Sequence, residues 1–423
     1  MGRRIGRFAL LGAVFFCVWG KAATLGTVTP IVGGASDLVL DEARNRLYLV
    51  NTNSSRIEVY SLAQRRFLTP ITVDAQPLAA ALSRTGRVLY VTAHTAGSLN
   101  VIDLERLEVV SRVSLPARPE GVAVGGDNRV LISTVGTGTG NQLNILLIYD
   151  PEAPAGTQAL SAVPIAPPAP ANPLLPPQNF GRPGLTNRSF LQTSGDGNWI
   201  IGVNIPTTTD RAVFVYEVAS GTVLRSRRVN GVSSVLSVSP SGDRFMAGLT
   251  LFDTATLTVL AQQNAANAPY PFAAGVNFNL QQNQGGSVFS PDGARLYSAF
   301  NFAPVQTPAA RPNVSQLMVN DPDNLLIDGA YQMPENVAGK MVLSRDGANL
   351  YALSESGFLV VPLGTVPQSP VAAVDTRVAL VANDQCGVTG DQQVQRISVR
   401  NQGRGRLTAQ AFLLQQTDRK SVV

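Results

Sequence analysis

Ala80-Ala81-Leu82-Ser83, Arg84-Thr85-Gly86, Val88-Leu89-Tyr90-Val91-Thr92 and Leu99-Asn100-Val101-Ile102-Asp103 read as a strand, a tight polar turn, an aromatic-bearing strand and a third strand closing on an acid. Short apolar runs punctuated by glycine and Asx residues are the pattern of hairpin-connected strands. The same unit stands upstream as Leu38-Val39-Leu40, the turn Asp41 to Asn45, Leu47-Tyr48-Leu49-Val50-Asn51 and Ile57-Glu58-Val59-Tyr60. Its turn recurs at Gly125 to Asn128, Ser194 to Asn198, Pro240 to Asp243, Pro291 to Gly293 and Arg345 to Gly347. A spacing of mostly about forty to fifty-odd residues is of the order expected for propeller blades.

The recurrence predicts an all-β chain whose bulk is one seven-bladed β-propeller. A four-stranded sheet cannot cover both of its faces alone, so each blade packs on its neighbours, and closing the ring leaves only short protected edges. The last blade, Lys340 to Leu363, has residues for three strands. Ala23 to Val32 is therefore expected to supply its outer strand and fasten the ring. Blade five, Ser233 to Ala261, is compressed. A many-stranded sandwich offers no reason for a sevenfold repeat.

Tyr90-Val91-Thr92 with Asn100-Val101-Ile102-Asp103, and Tyr48-Leu49-Val50-Asn51-Thr52, resemble the YVTN-type propeller repeat of exported bacterial and archaeal surface proteins. Ser290-Pro291-Asp292-Gly293 and Leu350-Tyr351 keep the resemblance in blades six and seven, whereas blades three to five depart from it. The resemblance implies a propeller at the cell surface. Members of that family include binding and surface proteins, with a looser kinship to propeller lactonases and cytochrome-type propellers.

The two ends carry their own signals. Arg3, Arg4 and Arg7 precede an apolar run from Phe8 to Trp19, and Gly20-Lys21-Ala22 offers small residues for cleavage, so residues 1–22 read as a signal peptide. Residues 23–364 are the expected propeller, and 365–372 a linker within the proline-bearing stretch Pro362 to Pro370. Residues 373–417, with Val394 to Val399 and Leu407 to Phe412 as strands, resemble the opening of an immunoglobulin-like module. Asp418 to Val423 reads as translated sequencing adapter, so the natural chain is expected to continue differently.

Composition narrows the function classes. Apolar residues make up 44% of the 423 and charged residues 14%, ample for a large core. The net charge of +5 falls to +1 once the four basic residues of the signal peptide are removed, which leaves no electrostatic footprint for nucleic acid. Only Cys386 survives cleavage, so no disulfide forms within the mature chain. His94 is the sole histidine, too few for a haem, copper or zinc site of the usual kind. Asp321-Pro322-Asp323-Asn324 has the wrong spacing for a calcium loop and serves as a turn between strands. No catalytic, cofactor-binding or metal-ligating residue is expected.

In up-and-down blades the second-to-third loops and the crossings between blades share one face of the disc. The long insertions fall there: Thr134 to Gln142, Pro206 to Arg211, Phe302 to Ser315, and the crossings Ala166 to Asn187 and Asn264 to Gln284. Loops on a rigid scaffold carry function, and aromatics with arginine dominate binding hot spots. Phe180, Arg182, Tyr270, Phe272, Phe278, Phe302 and Arg311 are therefore the expected ligand-binding face. The expected protein is a secreted or cell-surface, monomeric, non-catalytic binding module for a protein or polysaccharide, with no membrane span after signal cleavage. A lactonase-like hydrolase with a central-channel site is the alternative, and a structural spacer is a third reading. The hydrolase needs charged residues at the ends of the inner strands. Leu38 to Leu40, Ala79 to Leu82, Gly121 to Val124, Val235 to Val238 and Met341 to Leu343 are nearly all apolar or small, which argues against it.

Overall fold

The structure, a computed structural model, describes residues 24–135, 146–154, 159–163, 189–204, 211–229, 232–263, 280–304, 314–368, 372–374 and 399–401. Only the backbone is described for 280–284, 301–304, 314, 366–368 and the last two segments.

Seven antiparallel sheets make the blades. Their inner strands are, in order, Asp37–Asp41, Pro77–Leu82, Arg118–Val124, Ser189–Thr193, Leu236–Val238, Leu280–Phe289 and Val337–Leu343. Each neighbours the next, and the seventh neighbours the first, so the ring closes around an axis. Blade 5 is the compressed one, with strands of three and four residues.

The period-2 geometry of a strand explains why every blade needs two neighbours. In Arg46–Asn51 of blade 1, Leu47 and Leu49 face blade 7, where they pack with Tyr351, Leu353 and Phe358. Tyr48 and Val50 face the other way, against Ala80, Leu89 and Val91 of blade 2. The same split recurs in blade 4, where Ile200 packs towards blade 3 and Ile201 towards blade 5. Burying both faces is what turns these strands into near-continuous apolar runs.

Ring closure comes from the N-terminus. Thr27–Pro30 pairs antiparallel with Gly357–Val361, so blade 7 is built from both ends of the propeller segment, as the strand count predicts. Leu25 N–H also donates to Gln332 O of blade 6 at 2.8 Å. Gly357 has to be glycine there, because a Cβ would stand 2.1 Å from the Thr29 carbonyl oxygen.

The first-to-second turns repeat one chemical solution. Ser194 Oγ donates to Asp196 Oδ1 at 2.5 Å and accepts from Trp199 N–H at 3.1 Å. Ser290 with Asp292 and Ser344 with Asp346 do the same in blades 6 and 7, and Ser239 with Asp243 in blade 5. Gly242 closes its turn at φ 73°, a conformation that costs a residue with a Cβ. These turns also bond one another around the far end of the channel: Gly126 N–H to Gly197 O and Asp196 N–H to Pro240 O, each at 2.8 Å.

Past the propeller, a 3-10 helix at Leu363–Gln368 opens the expected linker. Ala372–Val374 pairs with Val399–Asn401. The remainder of the segment expected to be immunoglobulin-like lies outside the described residues, as do residues 1–22, the expected signal peptide, and residues 418–423.

The channel mouth as candidate functional site

Because each first-to-second turn sits at one end of the axis, every inner strand begins at the other end. That second end is the face where the inter-blade crossings and second-to-third connections lie. A cavity of about 560 Å³ occupies the channel there, within the size range of ligand pockets, roughly 300–1,000 Å³.

Counting back four residues from Asp41, Ser83, Gly125, Ser194, Ser239 and Ser344, which open the first-to-second turns of six blades, reaches Asp37, Ala79, Gly121, Phe190, Val235 and Lys340, all of which line this cavity. Two of them are charged and meet across the seam between blades 7 and 1. Lys340 Nζ lies 3.1 Å from Asp37 Oδ1. Asp37 also accepts Leu38 N–H on Oδ1 and, on Oδ2, Ala80 N–H of blade 2, each at 2.8 Å. A third charge, Glu120, is 8% exposed, and its Oε2 accepts Ser189 N–H of blade 4 at 2.6 Å. Both carboxylates thus take a backbone donor from the next blade's inner strand. Glu355 completes the charged lining, with its Oε1 accepting from Asn336 Nδ2 at 2.7 Å.

The expectation that the inner-strand ends carry no charge is thereby corrected. The apolar runs begin at Leu38, Gly121 and Met341, whereas the strands begin at Asp37, Arg118 and Val337 and so include Asp37, Glu120 and Lys340. Charge at these positions costs little folding energy because water reaches the mouth and internal partners hold the carboxylates. Alignment on the turns is the signal that finds Asp37 and Lys340, which share a repeat position with Phe190; Glu120 stands one residue before that position in blade 3.

The opposite side holds the larger apolar side chains of the lining. Phe190 and Leu191 of blade 4, with Val235 and Leu236 of blade 5, line it, and Phe190 is 37% exposed. In a seven-membered ring, blade 4 lies across the axis from the seam between blades 7 and 1. The exposed ring of Phe190 thus faces the Asp37–Lys340 pair across the mouth, with Glu120, Ser189 and Gln192 as polar groups on its own side. Gly121, Gly285 and Gly339 leave backbone at its wall. A Cβ on Gly285 would stand only 1.9 Å from Val337 O, so close approach of the inner strands of blades 6 and 7 demands glycine.

Of the residues expected on the binding face, Phe180, Arg182, Tyr270, Phe272, Phe278 and Arg311 lie outside the described residues. Phe302 falls in the strand Leu296–Pro304, its backbone opposite Gln282 and Val314. Blade 6 has longer strands than its turn chemistry announces, so its connection is shorter than Phe302 to Ser315. His94 begins the turn joining Val88–Ala93 to Ser98–Asp103, half-buried, with Nδ1 3.0 Å from Pro119 O of blade 3. It is an inter-blade contact rather than the solvent-facing loop residue its position implies. Among the described residues, no three His, Cys, Asp or Glu side chains are grouped to hold a metal ion, and no helix is long and apolar enough to cross a membrane.

No protein-family model matches the chain, and no curated protein matches it. Solved structures do. The β-propeller domain of Myceliophteria thermophila Cps50 (Swd1) superposes with a TM-score of 0.54 at 12% identity, covering 80% of this chain and 99% of that one. Kuenenia stuttgartiensis hydrazine synthase covers 82% of this chain and 81% of its own at 14% identity, with a TM-score of 0.42. At such identities the first likeness supports the propeller fold and nothing finer.

Proposed function

We propose that this protein is a secreted or cell-surface binding module of the YVTN-repeat kind, without catalytic activity, that captures a protein or polysaccharide on the face where the inner strands begin. One observation carries this reading: the cavity opens at the end where the inner strands begin, the face on which the sequence carries its long insertions. A rigid ring presenting a concave mouth amid longer segments is the arrangement from which recognition surfaces are built. The polar groups at the mouth are held in place by hydrogen bonds between blades, which suits a preorganised binding surface.

A lactonase-like hydrolase is the second reading, favoured by the convergence of Asp37, Glu120 and Lys340 on the channel. The two readings part on a direct measurement. Alanine at Phe180, Tyr270, Phe272 and Phe278 together is expected to abolish capture of immobilised surface polysaccharide or protein while leaving the unfolding midpoint unchanged. Undiminished capture overturns the binding face. Turnover of a lactone panel, lost on Asp37→Asn and Glu120→Gln, overturns the non-catalytic assignment.

A further inference from the structure

We infer that the channel mouth is a carbohydrate subsite, in which one or a few sugar rings lie with an apolar face on Phe190 and their hydroxyls towards the Asp37–Lys340 seam. The inference rests on the polysaccharide branch of the function proposed above and deepens it.

Phe190 is the first reason. Among the described residues, Tyr48, Tyr90, Phe214, Phe245, Phe252, Phe300 and Phe358 are buried between blades, and Phe67, Tyr149, Trp199 and Tyr331 are half-buried. Among the described residues, Phe190 is the one aromatic that stands with the exposed large hydrophobics, and it lines a concavity. Its exposed ring at a cavity wall offers apolar surface whose covering is favourable at about 25 cal/mol per Å². A pyranose offers a flat patch of C–H groups on one face and polar edges around it.

The polar wall is the second reason. Each charged group at the mouth already has an internal partner: Asp37 with Lys340 and Glu355 with Asn336 on the seam side, and Glu120 with Ser189 N–H beside Phe190. A fully charged ligand would compete with those partners and pay for stripping them. Hydroxyls need not, because each both donates and accepts. They can add bonds to the remaining N–H groups of the Lys340 ammonium, to further lone pairs of the Glu355 carboxylate, and to the amide of Gln192, which also lines the cavity. The mixture of donor-only, acceptor-only and two-way groups matches a polyol better than an ion.

Shape is the third. Blade 4 faces the 7–1 seam across the axis, so a ligand between them touches apolar ring on one side and polar seam on the other. Glycine and alanine at positions 79, 121, 285, 338 and 339 keep the remaining wall low.

The test uses calorimetric titration of the full mature chain with cellohexaose, xylohexaose and chitohexaose, and with a cationic and an anionic amphiphile of similar size. At least one oligosaccharide is expected to bind. Phe190→Ala and the plug Ala338→Trp should each weaken it tenfold or more at an unchanged unfolding midpoint, and Lys340→Met severalfold. Oligosaccharide binding that both Phe190→Ala and Ala338→Trp leave intact overturns the subsite while the loop-face reading stands. The same holds if no oligosaccharide binds but the loop-aromatic variant still loses capture of a protein. Binding of either amphiphile in preference to every sugar also overturns it.

Discussion

Asp37 and Lys340 stand at opposite ends of the propeller segment and meet at 3.1 Å, one from blade 1 and one from blade 7. Asp37 is the busier partner, since it also takes the backbone N–H groups of Leu38 and Ala80. That asymmetry sets the first prediction. Asp37→Ala leaves the Ala80 N–H without its acceptor at a nearly buried site, which costs about 1–3 kcal/mol. Lys340→Ala removes a half-exposed cation and leaves the carboxylate its two backbone donors, a loss under about 1 kcal/mol. Urea unfolding of the two variants tests the order; equal losses would show that the ion pair, and not the backbone bonds, dominates the seam.

Gly357 controls whether the ring can close. A valine there drives its Cβ into the Thr29 carbonyl and the backbone around Pro30 and Ile31. Gly357→Val is expected to destabilise the propeller by about 3 kcal/mol, because neither strand can move without breaking the sheet. Hydrogen exchange should show protection lost first in blade 7 and its N-terminal strand. A uniform loss over all blades would mean that the seam is no weaker than any other junction.

Acid should unfold the protein through its turns. Burial raises the Asp243 pKa, but bonds from Ser239, Ser241 and Arg244 outweigh it and bring the carboxyl from 3.8 down to about 2. Asp196 shifts the same way, where burial is again outweighed by bonds from Ser194 and Asn198, and so do Asp292 and Asp346, held down first by Ser290 and Ser344. A depressed folded-state pKa stabilises fully above the unfolded value and loses that contribution as pH falls through the folded one. Thermal midpoints should therefore stay level down to about pH 4 and drop steeply from there towards about pH 2. Asp243→Asn should show a shallower drop, and an unchanged acid limb would remove this turn from the account.

Much of the architecture was legible because its signals are local. The strand period, the Ser-x-Asp turns and the three-stranded last blade each lie within a few residues, and together they specify seven sheets closed by the N-terminal strand. The candidate site was less legible. Phe190, Asp37 and Lys340 share a repeat position, yet each alone looks like an ordinary strand residue next to an apolar run. Phe302 shows the opposite limit: its local sequence reads as loop while its backbone lies in the strand Leu296–Pro304, because pairing length depends on the partner strand and not on local residue type.

The amino-acid order by itself determined the blades, since whether a segment forms a two-faced apolar strand depends on alternation along the chain. Which polar side chains share the channel mouth was decided only when the ring closed. Convergence on an axis sets residues from distant segments side by side, and no local pattern records which turn of the ring faces which.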